Sequence, residues 1–140
     1  MEDNIIITNL LKLSESERLE FKATIDKSNI AKVITSFINT KGGDLVIGIN
    51  DDKTISDIHI TEQDRKNIET FLINEIKPTA PVFTRIETYK KRNVMLISVW
   101  EGANKPYYFK NTIYTRRGAE TIVSKGAGID NLLDERKSSE

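Results

Sequence analysis

The sequence predicts one domain of the α/β class, of mixed α+β type, with a mixed β-sheet, two main helices and a C-terminal β-meander. Three observations support this prediction. The 140 residues are enough chain for a single domain. Short segments alternate between apolar and polar residues or are apolar throughout, as in strands, and two longer segments repeat at helical spacing. The order is strand, helix, strand, helix and then strands, which is typical of α+β and mixed α/β folds. We place the domain at residues 1–133 and expect a disordered tail over 134–140.

The first elements are a short N-terminal segment and a half-buried strand. Residues 5–13 predict a short helix or a packed arm, with an apolar face made of Ile6, Leu10 and Leu13. The segment Leu19-Glu20-Phe21-Lys22 alternates apolar and polar side chains. A period of two is typical of a strand with one buried face.

A helix and a buried strand follow. Ser28-Asn29 is the predicted helix cap, and apolar residues then repeat at helical spacing as far as Ile38. Gly42-Gly43 is expected to end this helix. The run from Leu45 to Ile49 is apolar except for one glycine, so it predicts a central strand that is covered on both faces.

The second half begins with a helix and a hairpin. Thr61 is a good N-cap for a helix that runs to Lys77-Pro78, because acidic residues occupy its first turn. Residues 82–89 and 94–100 predict two strands, and the polar turn at 90–93 between them indicates a β-hairpin.

The remaining chain predicts one more strand and a short helix. The strand covers residues 112–115, and the helix is indicated by Ile129, Leu132 and Leu133. Trp100 ends an apolar strand, and we therefore expect it in the core rather than in a functional site.

Composition limits the compartment and the metal chemistry. The chain contains no cysteine, so it forms no disulfide and no thiolate zinc site, and we expect no zinc. No apolar run approaches the ~20 residues of a membrane helix, and we expect no membrane partner. The first residues, Met1-Glu2-Asp3-Asn4, lack the basic start of a signal peptide. The default expectation is the cytoplasm.

Charge is balanced over the chain but unevenly distributed along it. Residues 1–70 carry an excess of acids, and residues 71–140 carry an equal excess of bases. Residues 82–126 alone contain 9 Lys and Arg against 3 Asp and Glu. Such a distribution suits an enzyme that acts on a polyanion, and it equally suits two halves that attract each other within the fold.

The acids near the first two predicted strands are candidate metal ligands. Glu20 lies on the polar face of its strand, Glu15 precedes that strand, and Asp51 follows the end of the next one. Mg²⁺ and Mn²⁺ bind carboxylate oxygens and can activate water for phosphodiester cleavage. Glu15, Glu20 and Asp51 are thus the candidate catalytic and metal-binding residues. The alternative is that these acids lie on the surface and in a turn.

Basic and aromatic residues alternate towards the C-terminus, and they are candidates for binding nucleic acid. Lys and Arg side chains contact phosphates, and tyrosine rings stack on unpaired bases. The alternative is ordinary half-buried strands with rings inward and charges outward. The candidates are Lys22, Lys41, Lys105, Tyr107, Tyr108, Lys110, Tyr114, Arg116 and Arg117.

The glycines do not predict a nucleotide site. Neither the P-loop pattern nor G-x-G-x-x-G occurs, and Lys41-Gly42-Gly43 follows a helix instead of preceding one. We therefore do not expect ATP.

Several segments, in this order and spacing, resemble the Schlafen-type domain, a DNA-binding class named after the archaeal chromatin protein Alba and once grouped with divergent AAA-type ATP-binding domains. The resemblance covers about residues 10–125. The matching segments are Glu15-x4-Glu20-Phe21-Lys22, Phe37 to Gly43, Leu45 to Asp51, Ile76-Lys77-Pro78, Val94 to Trp100, Lys105 to Tyr108 and Ile113 to Gly118.

The resemblance implies an α/β module that occurs alone or at the N-terminus of bacterial transcriptional regulators and helicase-like proteins. In vertebrate Schlafen proteins two such modules form a positively charged groove, and some of them cut tRNA and rRNA with three metal-binding acids. Those acids correspond here to Glu15, Glu20 and Asp51, although Asn50 or Asp52 could take the third place after a small shift.

Three functions remain open on the sequence. The first is a nucleic-acid-binding module of the regulator type that acts as a homodimer, since one module supplies half of a groove. The second is an endoribonuclease that uses Mg²⁺ or Mn²⁺ on structured RNA. The third is a nucleotide-binding domain. The sequence does not distinguish RNA from DNA as the target.

Overall fold

The architecture is a mixed α+β fold, as predicted, seen in a computed structural model that describes residues 4–125, 129 and 131–135. The main sheet has four strands in the order β1-β2-β5-β4, in which β1 and β2 are parallel and the other pairs antiparallel. In chain order the elements are α1 (Ile5–Leu11), β1 (Leu19–Lys22), α2 (Lys27–Ile38), β2 (Gly43–Ile47), α3 (Glu62–Glu75), β3 (Ile76–Lys77), β4 (Val82–Tyr89), β5 (Arg92–Val99), β6 (Tyr108–Phe109), β7 (Tyr114–Arg117) and β8 (Glu120–Val123).

Helix boundaries follow local capping. Asp26 caps α2 by accepting a hydrogen bond from the Asn29 amide, so this helix starts earlier than the predicted Ser28-Asn29 cap. Thr61 caps α3 as predicted, and the side chain of Asp64 bonds back to the Thr61 amide in a capping box.

Gly42 and Gly43 allow α2 to turn directly into the central strand. Gly42 has a φ of +76°, and a side chain there would lie 2.7 Å from the Val99 carbonyl oxygen. A side chain at Gly43 would lie 2.7 Å from the Arg18 carbonyl oxygen. The glycine pair is therefore required by left-handed backbone and by close packing, and not by a bound phosphate.

The sheet is buried on both faces over much of its area. Helices α2 and α3 cover one face, where their apolar side chains pack on Leu45 and Ile97. Helix α1 covers part of the other face, above Phe21 and Leu96. The buried residue of α1 is Ile7, because the helix presents a different face from the predicted one, and Ile6 and Leu13 are exposed.

The predicted hairpin is present. Lys90 and Lys91 both have positive φ and connect β4 to β5 in a tight turn. The later strands lie outside the main sheet, with β6 paired to β3 and β7 paired to β8. The expectation for Trp100 was wrong: it follows the end of β5, and 72% of its surface is exposed. Its ring contacts that of Phe83 in a tilted arrangement, with centroids 5.2 Å apart.

The C-terminal end is helical over 131–135, where Leu132 is buried as predicted for a last helix. Of the tail expected over 134–140, residues 136–140 lie outside the described residues. Among the helices that are described, none has the length and apolar character needed to span a bilayer.

Candidate nucleic-acid interface

The site is organised around a buried arginine. Arg116 lies in β7, and its side chain is almost fully enclosed. The guanidinium donates to the Ser16 carbonyl oxygen at 2.9 Å, to Leu19 O at 3.2 Å and to the Glu20 carboxylate at 2.7 Å. The ring of Phe37 lies 5.1 Å from the guanidinium carbon. Arg116 therefore joins the β7–β8 hairpin to β1, the edge strand of the main sheet.

Glu20 is an acid in a partly desolvated position. Burial is the largest influence and raises the pKa of Glu20, while the hydrogen bond from Arg116 lowers it. The negative charge of Glu15 raises it again, and the net result is a pKa above the ordinary value for glutamate. Arg116 therefore binds a carboxylate whose ionised form is disfavoured by burial.

Next to this pair lies an open cavity of about 350 Å³, which we call the α2 groove. It is bounded by β1, α2 and the β7–β8 hairpin. Its polar and aromatic lining consists of Glu20, Lys22, Asn29, Lys32, Tyr114, Arg116 and Thr121.

The α2 groove combines two ammonium groups with an aromatic ring. The Lys22 amine lies 3.6 Å from Glu20 and a third of its side chain is exposed. The Lys32 amine lies 6.0 Å from the centre of the Tyr114 ring. Such a set of groups can bind a phosphate and pack against the sugar or base that it carries.

Lys22 and Tyr114 were predicted as binding residues, whereas Asn29 and Lys32 were not. The signal for the missed pair was present in the sequence. Asn29 and Lys32 are three residues apart in a helix, so they share one face, and that face is the polar one beside β1.

Three further predicted cations lie on the surface. Arg117 is exposed at the end of β7. Lys41 is exposed and pairs with Glu17 at 3.3 Å. The Lys110 amine lies 5.4 Å from the centre of the Phe109 ring. All three charges are accessible to a polyanion.

Lys105 and Tyr107 are instead buried. The Lys105 amine donates to Glu101 at 2.7 Å and also to Glu135. Burial disfavours the charge, but the two carboxylates together outweigh it and raise the pKa of Lys105 above its ordinary value. The side chain of Asn39 accepts a hydrogen bond from the backbone amide of Tyr107 and donates one to its backbone carbonyl oxygen, both at 2.7 Å. These two side chains, like Arg116, are used inside the fold.

The three candidate metal ligands are divided between two places. The Glu15 carboxylate accepts a hydrogen bond from the Phe21 amide at 2.9 Å, on the outer edge of β1. Glu15 and Asp51 line a cavity of about 450 Å³, whereas Glu20 lines the α2 groove and is bonded to Arg116. Within 4–125, 129 and 131–135, no three His, Cys, Asp or Glu side chains are grouped so that they could hold a metal ion. Glu15, Glu20 and Asp51 are therefore not brought together into one three-acid site in this arrangement.

The comparisons with known proteins agree with this fold. The model of the family described as Schlafen, AlbA_2 matches residues 15–124. No curated protein matches the chain.

Two solved structures are similar. The DIP2311 protein from Corynebacterium diphtheriae matches with a TM-score of 0.67 and 17% identity, over 96% of this chain and 28% of that one. The N-terminal domain of the "Putative ATP-dependent DNA Helicase RecG-related Protein" from Nitrosomonas europaea matches with a TM-score of 0.60 and 19% identity, over 90% and 92% of the two chains. The chain thus spans little more than a quarter of the DIP2311 protein and nearly all of the second domain.

Proposed function

Because this chain belongs to the Schlafen, AlbA_2 family, we propose that it is a nucleic-acid-binding module whose α2 groove contacts the phosphate backbone. The family and the helicase-related neighbour support a nucleic-acid-related domain. The role as a module of a transcriptional regulator follows the same reasoning and is part of the proposal.

The observation that carries the proposal is that Lys22 and Lys32 both line the α2 groove. Both amines line one open cavity, and Tyr114 lies beside them. Phosphate contacts by lysine supply most of the affinity of sequence-independent binding, and an aromatic ring adds contact with a sugar or base. Glu20 is shared between Arg116 and Lys22, and it is the one acid among the described residues that line the groove, so the groove keeps an excess of positive charge.

Exposed cations extend this surface beyond the groove. Lys41 lines a second cavity of about 360 Å³ that shares Arg116 with the α2 groove, and Arg117 follows in the same strand. The second cavity is also lined by Glu17, which pairs with Lys41, and by Glu101 and Glu135, which pair with Lys105. A polyanion that leaves the α2 groove would therefore compete with Glu17 for Lys41. We include Lys41, Arg117 and Lys110 as phosphate contacts, and we leave out the buried Lys105, Tyr107 and Arg116.

Metal-dependent cleavage of RNA is the second candidate. It is favoured by the shared cavity of Glu15 and Asp51 and by the effect of the Glu15 charge on Glu20, which places the two glutamates within electrostatic reach. For all three acids to act together, Glu20 would have to leave Arg116. No observation favours the third candidate, a nucleotide-binding domain.

A binding assay tests the proposal. Labelled tRNA, single-stranded RNA and duplex DNA are titrated with the protein in chelator and in Mn²⁺, each over a series of salt concentrations. We expect binding in chelator that weakens steeply as salt rises. Absence of binding to all three at the lowest salt would overturn the proposal, and shortening of RNA only in Mn²⁺ would favour the second candidate.

A further inference from the structure

The outer edge of β4 has no partner strand in the part of the chain that the structure describes. Among the described residues, β4 pairs only with β5, and the register runs without a bulge from Val82 to Tyr89. The strand contains no proline. A long regular edge strand presents a row of free backbone donors and acceptors, which is a template for another strand.

The turn after β4 determines which groups face outward. Lys90 and Lys91 both have positive φ, as in a two-residue hairpin turn, so Tyr89 and Arg92 form the hydrogen-bonded closing pair. Hydrogen-bonded pairs alternate along an antiparallel ladder. The residues that direct N–H and C=O groups to the open edge are therefore Val82, Thr84, Ile86 and Thr88.

The side chains of β4 favour pairing with a second copy of the same strand. When two β4 strands run antiparallel about a two-fold axis at Ile86, Arg85 lies opposite Glu87 of the second copy, and the converse pair forms as well. Thr84 then lies opposite Thr88, and Phe83 opposite Tyr89. Shifting the register by one residue pair in either direction places Arg85 or Glu87 opposite its own copy, and like charges across a strand pair are unfavourable.

The side chains involved are able to make these contacts. Arg85 is more than half exposed and donates to Glu87 within the strand at 2.9 Å, so both charges lie on one face. Glu87 is less exposed, and its other carboxylate oxygen accepts from Asn4. Ile86 is half-buried on the opposite face, next to the apolar side chains under α3. Phe83 is half exposed, so pairing would cover apolar surface that the single chain leaves open.

We propose that two copies of this chain associate through their β4 strands, antiparallel and centred on Ile86, into one continuous eight-stranded sheet. The α2 groove lies beside β1, at the other edge of the sheet, and stays open in this arrangement. Each particle would carry two grooves, so a long polyanion that reaches both would be bound more tightly than a short one. The proposal does not rest on nucleic-acid binding, because the mass of the particle tests it directly.

The test is sedimentation equilibrium of five samples over a concentration series. The wild type is expected at twice 15.9 kDa at the upper concentrations. Arg85→Glu places two carboxylates opposite each other at both contact points, and Glu87→Arg places two guanidinium groups there. Each variant alone should therefore sediment as a monomer. An equimolar mixture of the two restores opposite charges across the axis, and it should recover the doubled mass.

The mixture distinguishes contacts between chains from effects within one chain. The ion pair between residues 85 and 87 of the same chain is absent from both variants, so a recovered doubled mass must come from contacts between chains. Lys41→Glu, a charge reversal on the β1 side of the domain, is the matched control and should keep the doubled mass. Circular dichroism checks folding. If Glu87→Arg fails to fold because Asn4 loses its acceptor, Arg85→Glu alone must still be monomeric.

Three results would overturn the proposal. The first is a wild type of single mass throughout the series. The second is a doubled mass for folded Arg85→Glu. The third is a mixture of folded monomeric variants that does not recover the doubled mass.

Discussion

Arg116 and Glu20 form a 2.7 Å ion pair inside the domain, between strands that are 96 residues apart in the sequence. The sequence had instead predicted that Arg116 contacts nucleic acid and that Glu20 binds a metal ion. Their pairing explains how the β7–β8 hairpin is held against β1. Because Arg116 already binds Glu20, the neighbouring Lys22, which shares that carboxylate, and Lys32 supply the positive charge of the α2 groove.

Arg116→Ala should destabilise the fold by about 3–5 kcal/mol, because it leaves the Glu20 carboxylate without its guanidinium partner and removes a donor from the Ser16 and Leu19 carbonyl groups. Arg116→Lys should recover only part of this loss, since a lysine cannot reproduce the planar fork of donors. Urea denaturation followed by circular dichroism measures the effect. Arg117→Ala is the matched control, with an expected change within about 0.5 kcal/mol. Equal stability of the two alanine variants would contradict a structural role for Arg116.

Glu20 should make the fold less stable as the pH rises. Its pKa is raised in the folded state, so its contribution to stability is fully present below about 4.3, the ordinary value for glutamate, and is lost as the pH passes the raised pKa. Glu20→Gln does not titrate at this position. The free energy of unfolding of Glu20→Gln minus that of wild type should therefore increase through this pH range. A difference that falls with pH would show that the ion pair with Arg116 outweighs burial.

Burial should also decide which cations affect binding of nucleic acid. Arg117→Gln removes an exposed charge, and we expect the salt dependence of duplex binding to weaken by about 0.9 in the log–log slope. Lys105→Gln should leave the slope unchanged, because Glu101 and Glu135 already neutralise its amine. The slopes are measured by fluorescence anisotropy over a salt series, after both variants are shown to be folded. A reduced slope for Lys105→Gln would mean that its amine leaves the two acids on binding.

Cleavage, where it is found in Mn²⁺, should depend on the acids but not on the lysines of the groove. Glu20→Gln should then abolish cleavage and preserve RNA binding, because the variant removes a carboxylate and no positive charge. Gel analysis of labelled tRNA with wild type and variant measures this. Full cleavage by Glu20→Gln would leave Glu15, Glu20 and Asp51 as structural and surface acids.

The order of the three helices α1 to α3 and of the four strands of the main sheet could be predicted, because local periodicity and caps such as Thr61 determine it. The short strands β3, β6 and β8 were not predicted. The direction of single side chains in β7 could not. Alternation shows that Arg116 and Arg117 point to opposite faces, but it does not show which one is buried, since the acceptors of Arg116 lie in β1. Trp100 was misplaced for a similar reason: the apolar pattern continues by one residue past the end of β5.

Part of the candidate site could be predicted from the sequence, and the rest depends on how distant segments meet in the fold. Lys22 and Tyr114 were recognised from strands with polar and aromatic residues, and both line the α2 groove. Lys32 was missed because a lysine on the polar face of an amphipathic helix is ordinary in sequence. Lys32 becomes a candidate binding residue only because the fold places that face of α2 beside β1.

The most direct test of the central claim is the salt dependence of nucleic-acid binding by two double variants with the same change in charge. Lys22→Gln/Lys32→Gln removes the two amines of the α2 groove, and Lys90→Gln/Lys91→Gln removes two exposed amines from the turn between β4 and β5. The account predicts that the first variant lowers the slope by about 0.7 per lost contact on single-stranded RNA, and that the second leaves it at the wild-type value. An unchanged slope for the groove variant, or an equal loss for both, would contradict binding through the α2 groove.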